Sequence, residues 1–174
     1  KAPLGFGKLY AHKKYNWGYE GEAEPHLGGH RSTQPRGKVL GGTGAINGMV
    51  YMRGQREDYD HSRELGNAGW GYDDVLPFFR KSEDNDRGAD EFHGVGGPLS
   101  VSDVSEPHPL VEAYLAAAAA SGYPRNPDFN GVAQLGFGPY QVTQRGLRRW
   151  SAADAFLKPA LARPNLTLRT GALV

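Results

Sequence analysis

Hydrophobic and polar positions along the chain mark out a small set of elements. Residues 36–54, RGKVLGGTGAINGMVYMRG, join a glycine-dense turn to an apolar stretch in which Ile46, Met49, Val50 and Arg53 recur at i, i+3, i+4 and i+7, the period of a helix face. Thr43 stands where such a helix takes its N-cap. Ala45, Ile46, Gly48, Met49 and Val50 flank Asn47, so the predicted helix is apolar nearly all round and the Asn47 amide must find a buried partner. Residues 72–83 predict an amphipathic helix with Asp73 and Asp74 near its start and Val75, Leu76, Phe78 and Phe79 facing inward; Pro77 delays its start or kinks it. Residues 56–66 predict a short polar helix with Glu57 and Asp58 in its first turn and Gly66 as its stop. Residues 109–121 predict an alanine-rich helix ended by Gly122, and its five alanines from Ala116 permit close packing against another element. A last helix runs from a Ser151 cap through Leu161, interrupted by Pro159.

Between these lie extended segments. Residues 98–103 alternate Leu99 and Val101 with Ser100 and Ser102 in the manner of a strand. Residues 138–144 predict a second strand, and residues 165–174 a last one with Leu166, Leu168 and Thr170 on one face. Residues 15–20 read as a short extended stretch, and residues 129–138 as a turn-rich connection. Residues 84–97, charged and rich in glycine, predict a mobile loop. Its Asp84, Asp86, Asp90 and Glu91 lack the regular spacing of a calcium loop and read as solvated. The fold class is mixed, α/β with α+β character.

Charge and composition narrow the function more by exclusion. The net charge of +1, with both signs interspersed, leaves no electrostatic footprint for nucleic acid or an anionic membrane. The one tight basic cluster, Arg145, Arg148 and Arg149, reads as a solvated turn. Absence of cysteine excludes a disulfide scaffold, a thiolate metal site and a cysteine nucleophile. No apolar run reaches transmembrane length. His26 and His30 lie four apart, but the glycines between them predict a loop, and no third metal ligand stands nearby. His61, His93 and His108 fall in polar or loop contexts where a surface role is expected.

Gly37, Gly41, Gly42 and Gly44 give a backbone that can take positive φ and let a ligand approach with no Cβ in the way. Set before a helix N-terminus, such a loop is the physical recipe for an anion site, most often a phosphate. The alternative is a glycine turn that merely precedes a core helix. No catalytic constellation is complete: there is no Gly-x-Ser-x-Gly elbow, Walker loop or HExxH. The Gly-x-Gly-x-x-Gly dinucleotide fingerprint is missing as well, since Gly5/Gly7, Gly94/Gly96 and Gly136/Gly138 each lack the third glycine.

GKVLGGTGAINGMVYMRG followed by QREDYD resembles the first signature of the glucose-methanol-choline (GMC) flavoprotein oxidoreductases. The resemblance continues through GWGYDDVLPFFRKSEDN, FHGVGGPLSVSD and SAADAFLKPALARPNLTLRTGALV, and so covers essentially the whole chain. The closest flavour is that of choline dehydrogenases and aliphatic alcohol dehydrogenases. Ser62 stands where the family usually has Trp, which removes a packing anchor. The resemblance implies a partial GMC fold: part of an FAD-binding domain with a flavin lid and the signature loop in residues 1–97, part of a substrate-binding domain in 98–150, and a return into the FAD-binding domain in 151–174. The family's N-terminal Rossmann βαβ and its catalytic His lie outside the matching region, so no catalytic residue is expected here.

Carried over residue by residue, the resemblance places Gly42 and Thr43 near the FAD pyrophosphate, Asn47 and Gly48 against its flavin side, Val50 within reach of the isoalloxazine and the Val174 backbone at the adenine. Trp17 falls where a side chain approaches the cofactor, with simple packing as the alternative. Ile46 occupies the slot in which some members carry a His bonded to FAD, so attachment is expected to be non-covalent. For an intact enzyme the resemblance implies oxidation of a small-molecule alcohol to an aldehyde or ketone, by hydride transfer to flavin N5, with electrons passing to a quinone or dye-like acceptor rather than NAD. Lys1 in place of Met and a strand still running at Val174 suggest a fragment; the resemblance implies that it is inactive alone and belongs to a bacterial cytoplasmic protein, with peripheral membrane association as an alternative. A non-enzymatic module that binds a phosphate-bearing ligand through residues 37–44 is the competing reading.

Overall fold

A computed structural model describes residues 5–172. The chain divides into two compact units, residues 1–49 with 146–174, and residues 50–145. Mixed α/β structure is present, as expected.

In the first unit, a short helix α1 (Phe6–Tyr10) precedes a hairpin of β1 (Tyr19–Glu24) and β2 (His30–Gln34), antiparallel and bulged between Glu20 and Ala23. Both strands are almost wholly exposed. A buried Asn16 closes the base of the hairpin. Its Oδ1 accepts from the N–H of Gly18 at 3.0 Å and of Arg36 at 2.8 Å. Backbone bonds from Trp17 to Arg36 (2.9 Å) and from Lys38 to Tyr15 (2.8 Å) then fix where the glycine turn begins. The unit's small core is Ile46, Met49, Ala153 and Ala155.

In the second unit α2 (Arg56–Glu64) packs on α3 (Tyr72–Ser82), with Tyr59 against Tyr72 and Phe79. The Asp58 carboxylate accepts from the Gln55 N–H at 2.9 Å, capping α2, and Arg56 pairs with Asp73 at 2.8 Å. Pro77 lies inside α3 without ending it. Parallel strands β3 (Glu83–Asn85) and β4 (Leu99–Val101) run side by side in register Glu83↔Leu99 and Asn85↔Val101. Helix α4 (Pro109–Ala120) buries Leu115, and the chain returns along single bridges from Val142 to Val50 and Ser102 before β5 (Gln144–Arg145).

Several expectations are corrected. The helix predicted from Thr43 through Arg53 does not form. Residues Gly42–Ala45 make one 3₁₀ turn, and Met49 then takes φ 67°, a left-handed value that no helix interior accommodates. Val50 makes an isolated bridge, and residues 51–55 have no regular secondary structure. Arg53 and Met49 are both buried, so the i, i+4 spacing reflected burial rather than one helix face. Phe78 is 70% exposed, and the alanines after Leu115 are mostly exposed, so neither packs as predicted. Within residues 84–97, Asp86, Asp90 and Glu91 are exposed, and carboxylates also bind backbone: Asp84 accepts from Gly96, Asp86 from Asp103, and Asp90 from Phe92 and His93. After β6 (Arg148–Arg149), residues Ala153–Leu157 form a π-turn that passes into α5 (Lys158–Ala160). Residues 161–172 form no strand, and Val174 lies outside the described residues.

Candidate functional site

The turn of residues 41–48 is fixed from inside by sterics. A Cβ on Gly37 would stand 2.2 Å from the Gly42 carbonyl oxygen and 2.8 Å from the Thr43 nitrogen, so only glycine lets the two backbones pass this closely. The Gly37 N–H donates to Thr43 Oγ1 at 3.2 Å. Thr43 therefore uses its hydroxyl to close the loop, not to cap a helix. Its carbonyl accepts from Ile46 (3.0 Å) and Asn47 (2.9 Å). Gly42 at φ 56° and Gly48 differ from Gly37: no protein atom lies within 4 Å of where their Cβ atoms would stand.

Asn47 finds a partner, as expected, but the partner is a residue read as solvated. Arg149 is 5% exposed. Its Nη1 donates to Asn47 Oδ1 at 2.8 Å and to the Gly44 carbonyl at 3.1 Å, and its Nη2 donates to the Asn47 carbonyl at 2.6 Å. Burial pushes the Arg149 pKa below the ordinary guanidinium value, and among the described residues no carboxylate pairs with it. Side chains alternate in direction along β6, and there Arg149 turns inward while Arg148 is exposed.

Thus Gly42, Thr43, Asn47 and Gly48 are brought into one turn of the first unit, while Val50, 51% exposed, opens the second. Nearby in the first unit, Trp17 stacks on Tyr19 and lies under Lys38 Nζ, 4.3 Å from the ring centre. A cleft of about 650 Å³ runs past Trp17, Gly37, Leu40 and Thr170. Without a helix after Thr43, any anion-binding capacity of this turn comes from loop N–H groups and the Arg149 charge rather than a helix dipole.

A second polar centre, which sequence reasoning placed on the surface, lies in the 50–145 unit. His93 is 2% exposed and Glu83 is fully buried. His93 Nδ1 faces Glu83 at 3.2 Å and Nε2 faces Asp128 at 2.9 Å. Glu83 also pairs with Arg53 Nη2 at 3.0 Å and accepts from the Gly94 N–H at 2.9 Å, and Asn85 links it to Gln141. Burial pushes the Glu83 carboxyl up, but the His93, Gly94 and Arg53 interactions outweigh it and hold the pKa below its ordinary value. The Glu83 hydrogen bond, against burial and with help from Asp128, raises that of His93. Among the described residues no group of His, Cys, Asp and Glu has the geometry of a metal site.

The sequence model of the GMC oxidoreductase family matches residues 19–174. An oxygen-dependent choline dehydrogenase of Sinorhizobium fredii is 51% identical over 156 residues, 89% of this chain and 28% of the relative. That of Brucella anthropi is 48% identical over 157 residues, 90% of this chain and 29% of the relative. Among solved structures, pyridoxine 4-oxidase from Mesorbium loti superposes with a TM-score of 0.89 at 36% identity, over 95% of this chain and 33% of that one. An FAD-dependent oxidoreductase from Chaetomium thermophilum gives 0.80 at 27% identity, over 87% and 28%. The chain therefore spans under a third of the length of these curated relatives.

Proposed function

The chain belongs to the GMC oxidoreductase family, and from that premise we propose that it carries the flavin-facing part of the FAD site of an alcohol-oxidising flavoprotein. The observation that carries this reading is the turn of residues 41–48. At Gly42 and Gly48 the protein itself leaves the Cβ positions empty, so a flat or phosphorylated ligand can reach the backbone there. In this reading Gly42 and Thr43 would face the FAD pyrophosphate, Asn47 and Gly48 its flavin side, Val50 the isoalloxazine, and the backbone of Val174, which lies outside the described residues, the adenine. The bound flavin would supply hydride acceptance.

In this reading residues 1–97 contribute to an FAD-binding domain, 98–150 to a substrate-binding domain, and 151–174 return to the first. The substrate is a small alcohol, since the relatives are named for choline and pyridoxine, and electrons leave to an acceptor other than NAD. In this reading the base that takes the hydroxyl proton belongs to the intact protein outside these 174 residues, and the 174-residue chain alone is expected to be inactive.

Purified intact protein containing this segment should bleach its flavin absorbance anaerobically on addition of choline or another small alcohol, and should reduce an added dye. A flavin-loaded protein that no member of an alcohol panel bleaches would overturn the reading, as would dye reduction by the 174-residue chain with added FAD.

A further inference from the structure

A planar trans peptide holds its C=O and the next residue's N–H on opposite sides of the chain. Arg149 takes the Asn47 carbonyl at 2.6 Å, so the N–H of Gly48 is turned away from Arg149. Among the described residues nothing accepts that N–H. It belongs to a residue with open space around the missing Cβ. The same guanidinium holds the Gly44 carbonyl and the Asn47 side chain, three contacts from one planar fork. A lysine donates from a single point and lacks the two-pronged planar fork that Arg149 uses here, Nη1 on two acceptors and Nη2 on the third.

We propose that Arg149 is a positioning residue for the cofactor: it fixes residues 44–48 so that the Gly48 N–H is presented to the flavin side of bound FAD. This rests on the reading of the turn given above. Arg149 does not touch the ligand. Its side chain is buried against the inner side of the loop, and its positive charge, unmatched by any carboxylate among the described residues, biases the turn toward an electron-rich partner.

The inference is separable from a merely structural role because it concerns direction. Gly48 makes no close contact of its own, so Gly48→Ala leaves the flavin-free fold unstrained and obstructs only the space outside it. Loss of Arg149 should instead let the Asn47–Gly48 peptide rotate.

The test uses intact protein, stripped of flavin and titrated with FAD, for wild type, Arg149→Lys, Arg149→Ala and Gly48→Ala. We expect FAD affinity to fall about tenfold or more in both Arg149 variants, the size of losing charge-assisted hydrogen bonds. The visible flavin spectrum should shift, and added guanidinium ion should restore affinity in Arg149→Ala but not in Gly48→Ala. Gly48→Ala should keep the wild-type flavin-free melting temperature while binding FAD more weakly. Wild type that binds no FAD would overturn the family-based reading. Wild type that binds while the Arg149 variants bind equally well with unchanged spectra would overturn this inference alone. If the Arg149 variants fail to fold, normal FAD affinity in Gly48→Ala overturns it, and weakened affinity at unchanged melting temperature supports it.

Discussion

The His93 ring stands edge to edge with the Glu83 carboxylate, Nδ1 at 3.2 and 3.3 Å from its two oxygens, at a site where neither side chain is more than 2% exposed. With Asp128 on its other nitrogen the imidazole faces two acids at once, which raises its pKa above the ordinary histidine value. Because its folded pKa is raised above the unfolded value of 6.5, the stability it contributes is fully present below 6.5 and is lost as pH rises through the folded value. The lowered Glu83 gives the opposite limb: its contribution is present above 4.5 and is lost as pH falls through its depressed folded value. Denaturant unfolding of the intact protein across both limbs should show stability declining on the alkaline side of 6.5, and His93→Gln should flatten that decline.

Breaking the Arg53–Glu83 pair should be costly. Arg53→Met takes one charged partner from the buried Glu83 carboxylate and leaves it His93, Asn85 and the Gly94 N–H, and about 1.5–3 kcal/mol of stability should be lost by chemical denaturation. Replacing both partners with apolar residues should recover part of it. An unchanged midpoint for Arg53→Met would contradict the buried pair.

Gly37→Ala places a Cβ against the Gly42 carbonyl, and overpacking of backbone should cost about 1–3 kcal/mol together with the geometry of the turn. Melting temperature and flavin content should fall together. A variant that melts as wild type would show that the two backbone stretches do not pass so closely.

Ile46 is 2% exposed and offers no nucleophile. FAD in the intact protein should therefore be released on acid denaturation and stay in the supernatant after the protein is pelleted. Flavin that pellets with the protein would mean a covalent link elsewhere.

The parts legible in the sequence are those fixed by local rules. Helix α3 spans Tyr72–Ser82 as its pattern marks, although Pro77 does not delay its start and Phe78 is exposed; α2 and α4 stop close to Gly66 and Gly122, and β4 follows the alternation of Leu99 and Val101. What local pattern does not encode is pairing over long separations. Ile46, Met49 and Arg53 share a helical period, yet Arg53 is drawn away by Glu83 and Asn130, thirty and seventy-seven residues distant. Asn47 demanded a partner from its apolar neighbours; it has the Met49 N–H close by, and also Arg149, 102 residues along, in a cluster whose charge suggested water. His93 looked exposed because its flanks are polar; Asp90 and Glu91 are indeed exposed, but Asp90 holds the His93 N–H while the ring turns inward to Glu83.

The central claim, that the turn of residues 41–48 holds FAD, is tested most directly by the flavin content of intact protein purified as wild type, Thr43→Ala and Asn47→Ala. Thr43→Ala removes the acceptor of the Gly37 N–H, and Asn47→Ala removes a partner of Arg149. Wild type should carry FAD stoichiometrically and both variants should lose most of it; full flavin occupancy in both variants would contradict the account.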